Sequence, residues 1–320
     1  MELLTELTNI SAPSGNEVML KEFITKQTEK FADQIYEDTL GNLIVHKKGK
    51  GNKLMLSAHM DEAGFIVTHT DDNYAYFSTI GDVQLKFLHA CKVKFLNDTI
   101  GIISKKSENP LKTTDYFIET LGCKGDCLNS VSVGDIATYH HTFDQQNNIV
   151  SAKALNSRAA CYILIQTIKK MVRPENDLYF VFTTQHHLGL RGAKTAASKI
   201  APQYAITIDS SVCDSLQNEK SSIKMEEGPV IKIMDGSVIT HPTVRNIILN
   251  AAKKENIDIQ FQVSPKTKSD ASSIQVSGVG VITGVLSFPL KNFNTACEIV
   301  SKSDIDKAIE ILVRVCSEKV

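Results

Sequence analysis

The chain has 320 residues, enough for about two domains and a sizeable core, and its 42% hydrophobic and 22% charged content is that of an ordinary globular protein rather than a disordered one. A formal net charge of -1 supplies no field to recruit nucleic acid, and the basic run Lys47, Lys48, Lys50 and Lys53 around Gly49 and Gly51 reads as a solvated hairpin turn. Seven scattered cysteines make no secreted-type disulfide framework, no apolar run approaches about 18 residues, and the start is amphipathic rather than basic then apolar, so the expectation is a cytoplasmic protein without membrane partners. Cys123 and Cys127 read as loop thiols, because no second pair stands at zinc-finger spacing.

Leu3, Leu4, Leu7 and Ile10 recur at helical spacing, and Ser14 with Glu17 forms a capping-box pattern ahead of Val18, Leu20, Phe23 and Ile24, so two helices open the fold. A hairpin with Gly41 and Asn42 at its turn leads into the apolar strand Leu54 to Ser57. From residue 65 to residue 151 short β-rich runs such as Phe65 to Thr70, Cys91 to Leu96 and Asp135 to Thr142 are separated by turn signals, which predicts an inserted all-β domain. Residues 1–64 and 152–320 then form one α/β domain. In its second part helical patterns (Arg158 to Met171, Arg191 to Ser198, His241 to Lys254) alternate with strands (Leu178 to Thr183, Tyr204 to Ile208, Val230 to Ile233, Ile257 to Gln262, Val279 to Ser287). Such alternation predicts a mainly parallel sheet covered by helices on both faces, with Ile305, Ala308, Ile309, Leu312 and Val313 on a last packing helix.

In an open α/β sheet, ligands gather beyond the carboxyl ends of the strands. Three apolar runs end in metal-competent residues: Leu54 to Ala58 in His59-Met60-Asp61-Glu62, Tyr179 to Phe182 in Gln185-His186-His187, and Ala205 to Ile208 in Asp209. Any one of them is explained as a polar strand end satisfied by backbone or water, whereas three together point to a site. Asp209 carries the most weight, because a carboxylate near a buried strand end needs a cation or several donors. Asp61 is placed to orient the His59 ring by accepting its second N–H.

The phrases Ala58-His59-Met60-Asp61-Glu62-Ala63-Gly64, Gly189-Leu190-Arg191-Gly192-Ala193 and Gly228-Pro229-Val230-Ile231, followed by Ser237-Val238-Ile239-Thr240-His241-Pro242, resemble in order and spacing the tetrahedral aminopeptidases of metallopeptidase family forty-two, known as glutamyl or deblocking aminopeptidases and sometimes as endoglucanases. The resemblance spans nearly the whole chain. It implies a zinc-peptidase α/β domain split by a β domain, assembly up to a twelve-subunit tetrahedron, and removal of N-terminal residues from short peptides. It also implies two zinc or cobalt ions bridged by an aspartate and a water, with a glutamate as the base.

Position by position, the resemblance places the family's first histidine ligand on His59 and the orienting aspartate on Asp61. The bridging aspartate falls on Asn156, the adjacent base and ligand glutamates fall on His186 and His187, the aspartate ligand is kept as Asp209, and the late histidine falls on Asn294, ahead of Glu298. Two divalent ions about 3.5 to 4 Å apart need anionic ligands between and around them, so the expectation is at most one divalent ion, zinc or cobalt, and no dinuclear centre. His59, His187 and Asp209 would form a two-histidine, one-carboxylate set with His186 as a base near neutral pH; the competing reading is a cavity that no longer holds metal. Arg191 and Asp270 match positions near the substrate cleft or else belong to a structural ion pair, and His140 and His141 read as surface residues. Three functions stay open. The chain is a binding or assembly subunit, as a homo-oligomer from dimer to dodecamer or co-assembled with an active homologue; or a hydrolase with one remodelled metal acting on short peptides; or a scaffold that binds peptides or sugars in the old cleft.

Overall fold

The computed structural model describes residues 1–71, 74–121, 131–213 and 222–320; Cys123 and Cys127 lie outside them. The strands in chain order are β1 Gln34–Glu37, β2 Leu43–Lys47, β3 Lys53–His59, β4 Gly64–Thr70, β5 Ala75–Ile80, β6 Lys92–Phe95, β7 Ile100–Lys105, β8 Tyr116–Thr120, β9 Ile136–Tyr139, β10 Asp144–Gln146, β11 Ile149–Ala152, β12 Asp177–Thr183, β13 Tyr204–Val212, β14 Val230–Asp235, β15 Gln260–Ser264, β16 Ile282–Lys291 and β17 Glu298–Ser301. The helices are α1 Glu2–Asn9, α2 Val18–Thr28, α3 Leu155–Lys170, α4 Arg191–Ile200, α5 Pro242–Lys254, α6 Asp270–Gln275 and α7 Lys302–Ser317.

Eleven strands form one mixed sheet in the order β1-β2-β12-β3-β13-β16-β17-β11-β10, with β14 and β15 branching from β16. Its central strands β12, β3, β13 and β16 run parallel, and β2 and β17 flank them antiparallel. Parallel strands buried on both faces read as continuous apolar runs, and β3 and β13 do so, with six of seven and seven of nine residues buried. Helix α3 is enclosed almost all round. It buries 13 of its 16 residues, Arg158 among them, against β3 on one side and α1, α2 and α7 on the other. A helix at the surface would bury only a stripe. The remaining strands β4-β5-β8-β7-β6-β9 close into a small barrel with its own core, built on Phe65, Val93, Phe95, Ile103 and Ile118. The α/β sheet with an inserted β unit is thus present. Strands β10 and β11, inside the stretch read from sequence as the insertion, instead join the large sheet, β11 pairing with β17 and β10 with β11 at the edge. No described helix is long and apolar enough to cross a membrane.

Two local expectations give way to tertiary contacts. The lysine-rich turn is no hairpin, because β12 lies between β2 and β3. Lys47 is buried there, donating from Nζ to the carbonyls of Met171 (2.6 Å) and Ile168 (3.4 Å) at the end of α3, where a cation complements the helix dipole. Gly49 is needed because a Cβ there would lie 2.0 Å from the Asn176 carbonyl oxygen. The capping box of Ser14 and Glu17 also does not form. Ser14 Oγ donates to Asp61 Oδ2, and Glu17 accepts the amides of Gly15 (2.9 Å) and Gln185 (3.0 Å). Both side chains serve the loops around the central strand ends.

Candidate active-site cleft

His59 is the last residue of β3, and its Nδ1 lies 3.0 Å from the Asp61 carbonyl oxygen. A carbonyl only accepts, so Nδ1 carries the hydrogen and Nε2 holds the lone pair. The Asp61 carboxylate stands farther off, 3.5 Å from the same nitrogen, and accepts the backbone amides of His186 and His187, each at 3.0 Å. Burial works to raise its pKa, but the hydrogen bond from His59 and the positive charge of His186 prevail and hold it well below the usual carboxylate range. Asp61 therefore orients His59 mainly through its backbone, while its side chain pins the loop after β12. One residue on, Glu62 receives Lys153 (2.6 Å) and Arg158 (2.7 Å). Arg158 also donates to the carbonyls of Leu7, Ile10 and Met60, which ties α1 and the His59 loop to α3.

After β12 the chain turns through Gln185 in the left-handed region (φ 55°) and presents two histidines. The His186 ring stacks on His59, with centroids 4.0 Å apart, and its Nδ1 meets Asp270 Oδ1 at 2.8 Å. Asp270 in turn accepts Thr183 Oγ1 at 2.6 Å. Burial lowers the His186 pKa, but the Asp270 charge and hydrogen bond outweigh it and push it up to about 9. As it stands here, paired with Asp270, the His186 ring holds its proton at neutral pH. His187 stands edge-on to His59 at 5.5 Å, and its buried Nε2 has no hydrogen-bond partner. Burial pushes its pKa down to about 3, opposed by Asp61 and helped by the charge of His186. The barrel closes over this ring at Gly81 (φ 81°), where a Cβ would sit 2.7 Å from His187 Nδ1.

At the end of β13, Asp209 Oδ2 receives Lys232 Nζ from β14 at 2.8 Å, and Oδ1 accepts the Ser210 amide at 2.8 Å. Burial works to raise the Asp209 pKa, but Lys232 overrides it and keeps the carboxylate ionised. On the facing wall, Asn156 Nδ2 donates to Asn294 Oδ1 at 2.8 Å. Glu298 accepts the backbone amides of both residues, at 2.8 and 2.7 Å; burial raises its pKa to about 8 against the pull of those bonds.

His59, Asn156, His186, His187, Asp209 and Asn294 line one cavity of about 310 Å³, with Lys232 at its wall, Gly81 and Asp82 of the barrel above, and Lys266 and Lys268 at its rim. Asp61 and Asp270 stand behind the histidines as their hydrogen-bond partners. Arg191 is exposed and off the cavity wall, where it donates from Nε to the Leu188 carbonyl (2.9 Å), so it makes no ion pair with Asp270. His140 is exposed and half-buried His141 turns to the Thr142 carbonyl, both away from the cavity. Lys232 is the site residue missed in the sequence. Its signal was a lone cation within the apolar run Val230-Ile231-Lys232-Ile233-Met234.

As a seat for metal the donor set is largely committed elsewhere. Asp209 has Lys232 and the Ser210 amide, the two asparagine side chains hold each other, and Glu298 holds amides. Among the described residues no group of three or more histidine, cysteine, aspartate or glutamate side chains has the geometry to hold an ion. The exceptions are the unpartnered His187 Nε2 and the lone pair on His59 Nε2.

The family model of the M42 glutamyl aminopeptidases matches residues 41–311. A protein of Acetivibrio thermocellus, provisionally named an aminopeptidase, is 38% identical over 98% of this chain and 97% of its own length. The solved structure of an aminopeptidase from the archaeon Desulfurococcus kamchatkensis superposes with a TM-score of 0.94 at 27% identity, over 100% of this chain and 94% of that one. The TET1 peptidase of Pyrococcus horikoshii, which can assemble into a tetrahedron or a large octahedral shell, superposes with a TM-score of 0.88 at 29% identity over 99% of both chains. The chain is thus a member of the M42 glutamyl aminopeptidase family.

Proposed function

We propose that this M42 chain has left the dinuclear-metal peptidase reaction of its family and works as a binding or assembly subunit. The observation that carries the reading is the Asn156–Asn294 hydrogen bond at 2.8 Å. At the two positions where the family resemblance places a bridging aspartate and a histidine ligand, two neutral amides satisfy each other. Two divalent ions side by side repel strongly unless carboxylates stand between them, and an amide pair supplies no negative charge. Assembly of the Pyrococcus horikoshii relative into closed shells supports a homo-oligomer here, from a dimer up to a tetrahedral dodecamer, or co-assembly with an active homologue. Short peptides, the substrates that the family resemblance implies, are the ligands of the cleft, bound without turnover.

A hydrolase with one zinc or cobalt ion at His59, His187 and Asp209 is the second reading, favoured by the unpartnered Nε2 of His187. The test is aminopeptidase assay of untagged protein over a panel of N-terminal residues, with zinc or cobalt added, alongside metal analysis. No turnover is expected. Metal-dependent turnover at the rates of ordinary aminopeptidases overturns the proposal.

A further inference from the structure

Strand β15 lies at an open margin of the large sheet. Among the described strands it pairs with β14 and with no other, and a parallel ladder satisfies only one side of a strand. The Gln260 amide donates inward to the Pro229 carbonyl at 2.9 Å. Backbone groups alternate along a strand, so Gln260 and Gln262 bond toward β14, while the amides and carbonyls of Phe261 and Val263 face the open side. The side chains of those two residues are apolar and turned to solvent, Phe261 50% exposed and Val263 63% exposed. Phe261 also lines a groove between β15 and α5, together with Leu249, Ile257 and Ile259. Edge strands are usually blunted by a lysine, a proline, a bulge or an inward charge. From Ile259 to Ser264 this one has no charged residue and no proline, and the irregularity between Lys232 and Met234 lies in β14 rather than in the edge strand.

We infer that the open edge of β15 is an interface with a second copy of this chain, the two β15 strands pairing antiparallel about a two-fold axis at Gln262. This rests on the proposed homo-oligomer and names the surface that builds it. The register follows from the strand itself. An axis at Gln262 is the one that pairs Gln260–Ser264 over its full length. It sets Phe261 opposite Val263 of the second copy and Val263 opposite Phe261 of that copy. These are the residues whose backbone groups face outward, so both pairs exchange main-chain hydrogen bonds, and Gln262 meets itself in the non-hydrogen-bonded place between them. Each pair also joins an aromatic to a β-branched side chain, a favourable cross-strand match. A charge beside a two-fold axis meets its own copy across it, and this segment has none to repel.

The test measures the mass of the full chain in solution by light scattering, as wild type and as Phe261→Lys and Val263→Lys, with folding checked by circular dichroism. Each variant sets an ammonium into the apolar pair of both copies at once. The expected result is an assembly mass at least halved in each folded variant, because a two-fold interface loses the contacts of both copies together. Gln262→Cys supplies a second readout that does not depend on those variants folding. Non-hydrogen-bonded antiparallel partners stand about 4.5 Å apart at Cα, within the disulfide range of about 4.4 to 6.8 Å. Under mild oxidation Gln262→Cys therefore runs as a covalent dimer on a non-reducing gel. Wild type does not, and neither does Ser264→Cys, which the axis holds about 13 Å from its own copy. A wild-type oligomer that both folded lysine variants leave intact, or one in which Gln262→Cys cross-links no more than Ser264→Cys, overturns the inference and leaves the homo-oligomer standing. A wild-type chain that stays monomeric at high micromolar concentration overturns both.

Discussion

Replacing Glu62 by glutamine preserves shape and one acceptor oxygen while removing the negative charge that Lys153 and Arg158 share at the junction of α1, the His59 loop and α3. Glu62, Lys153 and Arg158 are 2%, 3% and 0% exposed, and the carboxylate makes contacts of 2.6 Å to Lys153, 2.7 Å to Arg158 and 2.9 Å to the Ala12 amide. Breaking a buried ion pair by neutralising one partner costs about 3 to 5 kcal/mol, because the other charge is left uncompensated. Two cations are left here, but the cost is less than double. Arg158 keeps three backbone carbonyls, and Lys153, whose pKa burial already lowers against the pull of Glu62, sheds its proton when that pull is gone. A loss of about 4 kcal/mol follows, a large share of a typical net stability of about 5 to 15 kcal/mol. At a few degrees per kcal/mol this lowers the melting temperature by about 10 °C. Scanning calorimetry with a reversibility check measures it, since a chain with two cores need not unfold in one step. Adding Lys153→Met to Glu62→Gln should recover part of the loss, because the buried amine left without its carboxylate partner goes with it. A fall of under about 2 °C for Glu62→Gln, or a double variant less stable than the single one, would refute the argument that this buried charge cluster holds the site's floor together.

Gly81→Ala places a Cβ against the His187 ring and forces a positive φ on an L residue; a cost of about 1 to 2 kcal/mol with the fold retained is expected, together with displaced His187 ring signals in NMR spectra. Asp177 accepts His46 Nε2 (2.7 Å) and the Tyr179 hydroxyl (3.0 Å), and although burial works to raise its pKa, these bonds prevail and lower it. A depressed carboxylate stabilises the folded state above its unfolded pKa of about 3.9 and loses that contribution as pH falls through the folded value. Wild type should therefore exceed Asp177→Asn in stability at pH 7, with the difference shrinking in urea melts as pH falls below about 3.9; a gap unchanged from pH 7 to strong acid contradicts the assignment.

Much of this architecture could be read along the chain. Apolar periodicity located the two opening helices, the strands β3, β12 and β13 and the last helix, and the polar residues after those strands proved to share one cavity. Misreadings occurred where a polar side chain had a local partner and a distant one to choose between. Ser14 and Glu17 carry a capping signature, yet they bind Asp61 and the Gln185 amide, because buried groups across the fold gain more from a hydrogen bond than a helix end open to water. Lys47 looked solvated among its lysine neighbours until the end of α3 came to rest on it.

What the sequence alone determined is the place of the main apolar strands and helices and of the polar residues that follow β3, β12 and β13, since both follow from covalent order and short-range spacing. Which cation neutralises Asp209, which carboxylate holds the His186 proton and which nitrogen is left idle were decided only when β14, α6 and the barrel converged on one cavity. Electrostatic energy in a dry interior depends on separations of a few ångströms through space, and no spacing along the chain encodes those separations for residues 23 and 84 positions apart.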